Sequence, residues 1–140
     1  MKTKKPARVC GIVSAIVMIL LLVGCSPPRT PEEVVAERAQ ARWDALVARD
    51  FDSAYSFHSP GYRAQTQASS FAALMITRPV RWDNAEVTAV ECEEDICNVE
   101  VSLAYTAVGA PGVLSGMQNE RPINETWVKI EGQWWYSLDG

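Results

Sequence analysis

The chain has 140 residues, of which 48% are hydrophobic, and its 13 Lys or Arg against 17 Asp or Glu give a formal net charge of −4. A chain of this length suffices for one domain with a substantial buried core. The acidic balance argues against nucleic acid or an anionic lipid surface as the partner, because both require clustered Lys and Arg.

The N-terminal segment has the pattern of a secretory signal. Lys2, Lys4, Lys5 and Arg8 precede a nearly continuous aliphatic run over residues 11–23. A basic start, an apolar stretch of about a dozen residues and a small residue before the cleavage site are typical of such signals. Because a membrane-spanning helix requires about 20 apolar residues, the shorter run favours a cleaved signal over a permanent transmembrane anchor.

Leu22-Val23-Gly24-Cys25, which ends this run, resembles the lipobox of bacterial lipoproteins. The resemblance implies that residues 1–24 are a signal peptide and that Cys25 becomes the N-terminus, modified with acyl chains such as palmitate. Two or three chains hold a protein at a membrane effectively permanently, since each buried methylene contributes about 0.8 kcal/mol. By analogy with enterobacterial sorting, Ser26 favours the outer membrane, with the protein facing the periplasm. The alternative is an ordinary signal with an incidental cysteine.

The remainder is predicted to be a tether over residues 25–30 followed by a single domain over residues 31–140. Removal of the signal leaves 9 basic against 17 acidic residues, a net charge of −8. Cys92 and Cys97 are then the remaining free pair, and we expect them to form a disulfide bond in an oxidising compartment. Zinc is the alternative, but the chain has only one His and no second cysteine pair to complete a site.

The first part of the domain has helical patterns. Thr30-Pro31-Glu32-Glu33 is a capping-box start, and apolar residues recur at steps of three and four, which predicts a helix over about 31–49. We expect its charged residues, Arg42 included, to face mostly away from the core.

Two shorter helices are predicted to follow. One covers residues 53–57 and ends at His58-Ser59-Pro60-Gly61, because Pro and Gly oppose its continuation. Residues 62–70 are polar and have no assigned element. The other surrounds Phe71, Leu74 and Met75.

From Val80 the hydrophobic period changes to two, which predicts strands over about 80–89, 97–107, 123–130 and 133–138. The acidic segment 93–95 is predicted as a hairpin tip, so a disulfide between Cys92 and Cys97 would staple the hairpin. Residues 109–122 are predicted as a long loop and Glu131-Gly132 as a tight turn. Helices followed by a meander of strands are an α+β order.

This order resembles the cone fold of nuclear transport factor 2-like (cystatin-like) proteins, found also in ketosteroid isomerases and scytalone dehydratase. The resemblance implies N-terminal helices packed on a curved antiparallel sheet, with a conical cavity between them. The enzymes of this superfamily place Asp, His or Tyr in the cone, but no local motif here matches theirs. The likeness rests on three segments, Ala39-Gln40-Ala41-Arg42-Trp43, Asp50-Phe51-Asp52-Ser53-Ala54-Tyr55 and Trp127-Val128-Lys129-Ile130-Glu131-Gly132-Gln133-Trp134.

Few side chains are candidates for catalysis. His58 has a pKa near neutrality that suits a general base, but its position also fits a polar loop residue. Asp50 and Asp52 could share a proton or bind a cation, although carboxylates at such a junction more often cap the next helix. The acidic segment 91–95 lacks the glycine-turned loop of calcium sites. We therefore predict no catalytic residue, no metal site and no cofactor.

Aromatic residues are the better candidates for binding. Their ordinary role is the core, and the functional alternative is a cavity or an outer sheet face. The residues that we predict at a ligand or partner site are Trp43, Tyr55, Trp82, Tyr105 and Trp127. The sequence thus predicts a non-enzymatic binding or accessory module for a small apolar ligand or an envelope protein. An isomerase- or dehydratase-like enzyme, or a structural subunit that forms homodimers through its sheet, is the alternative.

Overall fold

The computed structural model describes residues 28–108 and 116–138. The predicted signal peptide and Cys25 lie outside the described residues, as does most of the tether. Within the described ranges, no helix is long and apolar enough to cross a membrane.

The first helix, α1 (Pro31–Val47), begins where the sequence predicts. The Thr30 hydroxyl accepts a hydrogen bond from the Glu33 amide, and the Glu33 carboxylate accepts one from the Thr30 amide, so the capping box is complete. The expectation that Arg42 faces away from the core is wrong. Residue 42 lies three positions after Ala39 and four before Leu46, on the buried stripe of the helix.

Three short helices follow, α2 (Phe51–Ser56), α3 (Pro60–Gln65) and α4 (Ala68–Ile76). Asp50 caps α2, because its carboxylate accepts a hydrogen bond from the Ser53 amide. Helix α3 is a departure from the prediction, which ends a helix at residues 58–61 and assigns no element to residues 62–70. Pro60 occupies the first turn of this helix, where no N–H is required, and the Ser59 hydroxyl caps it. α4 confirms the predicted third helix.

Four antiparallel strands form one sheet in the order β1 (Val80–Glu93), β2 (Ile96–Ala107), β3 (Gln118–Ile130) and β4 (Gln133–Ser137). The predicted α+β class, with helices packed on an antiparallel sheet, is confirmed. Tight turns join β1 to β2 and β3 to β4, as predicted. The turn residues Glu94, Glu131 and Gly132 adopt positive φ, and the value of 80° at Gly132 suits a residue without Cβ.

Strand β1 extends to Glu93, beyond the predicted end at Ala89. The prediction stops early because two bulges interrupt the alternation of inward and outward side chains. Bulges lie between Trp82 and Asn84 and between Val87 and Ala89. After the second bulge, Val90 packs against the core whereas Ala89 is exposed. A strict alternation of period two cannot anticipate this shift.

Strand β3 begins at Gln118, inside the segment predicted as a loop, and it contains Pro122. Among the described strands, β4 pairs with β3 only over residues 126–130. Pro122 therefore lies in the part of β3 that pairs only with β2. Proline has no N–H to donate, and it is tolerated here because the other side of β3 has no partner strand that requires this donor.

The helices cover one face of the sheet. Val99, Val101 and Leu103 of β2 and Trp127 of β3 are almost fully buried there. The disulfide between Cys92 and Cys97 confirms the prediction, and these residues are direct cross-strand partners in the hairpin. The opposite face of the sheet is mostly polar and acidic, with the exposed residues Glu86, Glu91, Glu93, Asn98, Glu100, Glu120 and Asn124.

Candidate functional site

A cavity of about 340 Å³ lies between the helices and the sheet, and we call it the cone cavity. A smaller volume of about 200 Å³ adjoins it, since the two share Trp43, Arg78, Trp82, Arg121 and Ile123. The further residues that line the cone cavity are Arg42, Leu46, His58, Tyr62, Phe71, Leu74, Met75, Glu125, Tyr136 and Leu138. Apolar and aromatic side chains therefore make up most of the wall.

A buried ion pair lies at one end of the cone cavity. Arg42 Nη1 is 2.6 Å from Glu125 Oε1, and the two side chains are 7% and 2% exposed. The other carboxylate oxygen, Oε2, accepts a hydrogen bond of 3.2 Å from Trp127 Nε1. The Arg42 guanidinium also lies 3.7 Å from the centre of the Tyr136 ring. Each of the two charges thus has a partner among the neighbouring protein groups.

The sequence analysis missed this pair, although the local pattern places both residues. Arg42 lies on the apolar stripe of α1. Glu125 lies two residues from Ile123 and two from Trp127, so it shares their inward face on β3. What the pattern cannot supply is their proximity, because the two residues are 83 positions apart in the chain.

His58 is 1% exposed, so the interpretation of this residue as a polar loop side chain is wrong about its burial. Its ring stacks on Tyr62 with 4.5 Å between ring centres, and Phe71 and Tyr136 approach it edge-on at 4.9 and 5.1 Å. The backbone fixes this position, because the Tyr136 amide donates to the Phe57 carbonyl and the Ser59 amide donates to the Tyr136 carbonyl.

The surroundings keep His58 neutral. Burial, and then the nearby Arg42 charge, lower the pKa of His58 to about 4. Nδ1 lies 3.2 Å from the Tyr55 carbonyl, which fits a neutral imidazole that donates from this nitrogen. Burial likewise raises the pKa of Tyr136, which keeps its hydroxyl protonated.

Two buried donors near this end, Arg42 Nε and Trp43 Nε1, have no acceptor within the described residues. Both atoms are covered by neighbouring groups, so the cavity itself does not solvate them. An unpaired buried donor costs about 1–3 kcal/mol. The polar end of the cavity therefore has more donors than acceptors.

The structure brings three of the five predicted aromatic site residues to the cavities. Trp43 and Trp82 meet edge-to-face with 6.0 Å between ring centres, and both line the two volumes. Tyr105 lines the smaller one. Tyr55 and Trp127 lie behind the wall, where the Tyr55 hydroxyl donates to the Thr66 carbonyl at 2.7 Å and Trp127 is fully buried.

The rim of the cone cavity combines exposed apolar and basic side chains. Leu74 and Leu138 are 53% and 59% exposed. The Arg78 guanidinium lies 5.9 Å from the Trp82 ring centre, and that of Arg121 lies 5.7 Å from the Tyr105 ring centre. Sequence reasoning missed both arginines, since nothing local marks them as neighbours.

The remaining acidic candidates lie away from the cavities. Asp50 is exposed, and its hydrogen bonds with the Ser53 hydroxyl and amide hold its pKa below the usual value. Asp52 and the hairpin tip are exposed as well. In residues 28–108 and 116–138, no cluster of three His, Cys, Asp or Glu side chains is positioned to bind a metal ion.

No family model matches the chain, and comparison with curated proteins gave no match. Solved structures do match. A SEC-C motif-containing protein from Rhodopseudomonas palustris is 17% identical with a TM-score of 0.54, over 71% of this chain and 72% of that chain. A nuclear transport factor 2-like protein from Campylobacter jejuni, provisionally assigned as a transpeptidase, is 12% identical with a TM-score of 0.50, over 74% and 96%.

A third matching structure comes from Streptomyces avermitilis and belongs to the nuclear transport factor 2-like family, with a provisional assignment as a dehydratase. It is 13% identical with a TM-score of 0.51, over 74% of this chain and 90% of that chain. Identities this low show the fold alone. The structural neighbours therefore include nuclear transport factor 2-like domains, consistent with the cone expected from the sequence.

Proposed function

We propose that this protein is a membrane-anchored envelope lipoprotein that binds a small apolar ligand in its cone cavity without converting it. The observation that carries the proposal is the cavity itself, about 340 Å³ in volume and walled by aromatic and aliphatic side chains. Pockets for small ligands typically have about 300–1,000 Å³ and a mostly apolar lining with a few polar groups. This cavity lies at the small end of that range, which favours a compact ligand.

The polar groups of the cavity favour binding over catalysis. A general base is most effective when its pKa lies near the working pH, whereas the pKa of His58 is about 4. Glu125 engages both of its oxygens, one with Arg42 and one with Trp127. Both residues thus contribute more to the structure of the cavity end than to proton transfer.

The outer face of the sheet supports the choice of the cavity over a docking patch. Apart from Ile96 and Ile130, its exposed residues are mostly acidic or polar, whereas a buried protein interface centre is depleted of charge and rich in aromatic residues. A partner protein from the envelope, the other form of the binding hypothesis, would more readily use the exposed leucines at the cavity rim.

An isomerase- or dehydratase-like enzyme is the second candidate. It is favoured by one observation, the convergence of His58, Tyr136 and Glu125 at the same end of the cavity. If the protein is an enzyme, a molecule that copurifies with a His58→Gln variant will be converted when wild-type protein is added and left intact by the variant alone. Absence of conversion by either protein supports binding.

The membrane anchor rests on the sequence pattern of residues 1–25. Its test is a Cys25→Ser variant, fractionated beside the wild type from the same cells. We expect the wild type in the membrane fraction, with acyl chains on its N-terminal peptide by mass spectrometry, and the variant released from it. A Cys25→Ser protein that stays membrane-bound in full would refute the lipid anchor.

The ligand site is tested with two tryptophan substitutions at adjacent positions of β3. Ile123 lines the cone cavity, whereas Asn124 is exposed on the opposite face. Ile123→Trp should fill the cavity and reduce the apolar ligand that native mass spectrometry detects on the full chain. Asn124→Trp, the matched control, should retain it. Equal ligand occupancy in both variants would refute binding in the cone cavity.

A further inference from the structure

We infer that the ligand of the cone cavity is an apolar molecule with one anionic group of the carboxylate class, which Arg78 and Arg121 hold at the rim. This inference rests on the proposed function, that the cavity binds an apolar ligand, and adds the identity of its head group.

The charge balance of the cavity lining favours an anionic group on the ligand. The chain as a whole is acidic, but the cavity wall has three arginines and a single carboxylate. Arg42 neutralises that carboxylate, Glu125, in the buried ion pair. His58 has no charge at neutral pH. Arg78 and Arg121 therefore leave the wall with two positive charges that nothing in the lining compensates.

Arg78 and Arg121 differ from the other unpaired arginines of the described residues in their position at the cavity. Arg29 and Arg81 form ion pairs with Glu37 and Asp83, whereas Arg38, Arg49 and Arg63 form none but lie outside the cavity lining. Arg78 and Arg121 have no carboxylate within 4.0 Å in the described part of the chain, although acidic residues outnumber basic ones. The exposed acidic side chains of the sheet are mostly on its opposite face, so neither guanidinium is engaged in an ion pair with a described carboxylate.

Neighbouring aromatic rings help to position both arginines at the cavity. Both arginines line both volumes, so their side chains lie where the two cavities adjoin. Each guanidinium faces an aromatic ring of the wall, Trp82 for Arg78 and Tyr105 for Arg121. Such contacts restrict the side chain, and a guanidinium presents a planar pair of donors that matches a carboxylate. A ligand anion at the rim would therefore meet two guanidinium groups that the aromatic rings help to position.

The apolar part of the ligand then occupies the interior. From the rim, the wall continues through Trp43, Phe71, Met75 and Ile123. An ionised group placed deeper would lose hydration, whereas at the exposed rim it keeps partial contact with water. The arrangement thus orients an amphipathic ligand with its tail inward and its anion outward.

The test uses a matched pair of photoreactive probes, a diazirine-bearing octanoic acid and the corresponding octanamide. The two differ in charge but hardly in shape. The full chain, isolated with its N-terminal segment in the form that the cell produces, is irradiated with each probe, and labelled peptides are quantified by mass spectrometry. The charge variant is Arg78→Gln/Arg121→Gln. The control, Arg81→Gln/Lys129→Gln, makes the same change of net charge away from the cavity.

We expect wild type and control to reach the same labelling of cavity peptides at a roughly tenfold lower concentration of the carboxylate probe than of the amide probe. Two partly exposed ion pairs provide a preference of about this size. In Arg78→Gln/Arg121→Gln this preference should disappear while amide labelling persists. Equal labelling by both probes in the wild type, or a preference that survives in the charge variant, would overturn the inference and leave the apolar site intact. If neither probe labels cavity peptides, the proposed function itself fails.

Discussion

Lowering the pH from 7 to 5 should destabilise the folded protein through His58. The pKa of this residue is about 6.5 in the unfolded chain and about 4 in the folded one, because burial and Arg42 disfavour the imidazolium. The unfolded state therefore binds a proton first. The free energy of unfolding falls as the pH drops from 6.5 towards 4, and this contribution is fully retained above 6.5.

The magnitude follows from the two pKa values. At about 1.4 kcal/mol for each pKa unit, the difference between 6.5 and about 4 limits the total loss to about 3 kcal/mol. Over the interval from pH 7 to pH 5, where the folded state remains almost unprotonated at this residue, the same linkage gives a loss of about 2 kcal/mol.

Urea denaturation at the two pH values, followed by tryptophan fluorescence, measures this loss. Carboxylates also begin to titrate near pH 5, so the comparison is with His58→Gln, a variant that retains all of them. The wild type should lose about 2 kcal/mol more than the variant. The chain has one histidine, so its imidazole proton resonance can also be followed by NMR. A midpoint near 6.5, or equal losses in both proteins, would refute the burial argument.

Three stability predictions follow from other contacts, each measured as a urea midpoint. Arg42→Met leaves the Glu125 charge buried and should lower the free energy of unfolding by about 3–5 kcal/mol, whereas Arg42→Met/Glu125→Leu should lower it by less. A larger loss in the double variant than in the single one would contradict a desolvated ion pair. Reduction of the disulfide should destabilise the wild type by about 2 kcal/mol and leave the stability of Cys92→Ser/Cys97→Ser unchanged. An equal effect of the reductant on both proteins would contradict a structural role of the disulfide. Thr30→Ala should cost about 1 kcal/mol through the lost cap, with Thr30→Ser near wild type; an unchanged Thr30→Ala midpoint would show that the cap does not stabilise α1.

The features predicted correctly from the sequence depend on neighbours in the chain. The capping box joins Thr30 and Glu33, three positions apart, the hairpin turns span two residues, and the disulfide joins cysteines five positions apart. Their geometry follows from backbone sterics and short-range hydrogen bonds. The missed helix α3 is also local, and the pattern of Ser59 followed by Pro60 fits a helix start as well as a helix end.

The candidate site could be predicted only in part. The hydrophobic period marks Trp43 and Trp82 as inward-facing, and it also places Arg42 and Glu125 on inward faces once the stripe is followed through every position. It cannot distinguish Tyr55 and Trp127, which lie behind the wall, from the aromatic residues that line it. Whether an inward side chain meets a cavity or a packed neighbour depends on how separate elements fit together.

The sequence by itself determined the α+β class, the meander of strands and the stapled hairpin, because each follows from periodicity or from contacts between nearby residues. Only the tertiary structure decided that Arg42 meets Glu125, that Tyr136 packs on the buried His58, and that Arg78 and Arg121 share one rim. These partners come from distant segments of the chain. Their approach is set by the packing of helices on the twisted sheet, which no local pattern encodes.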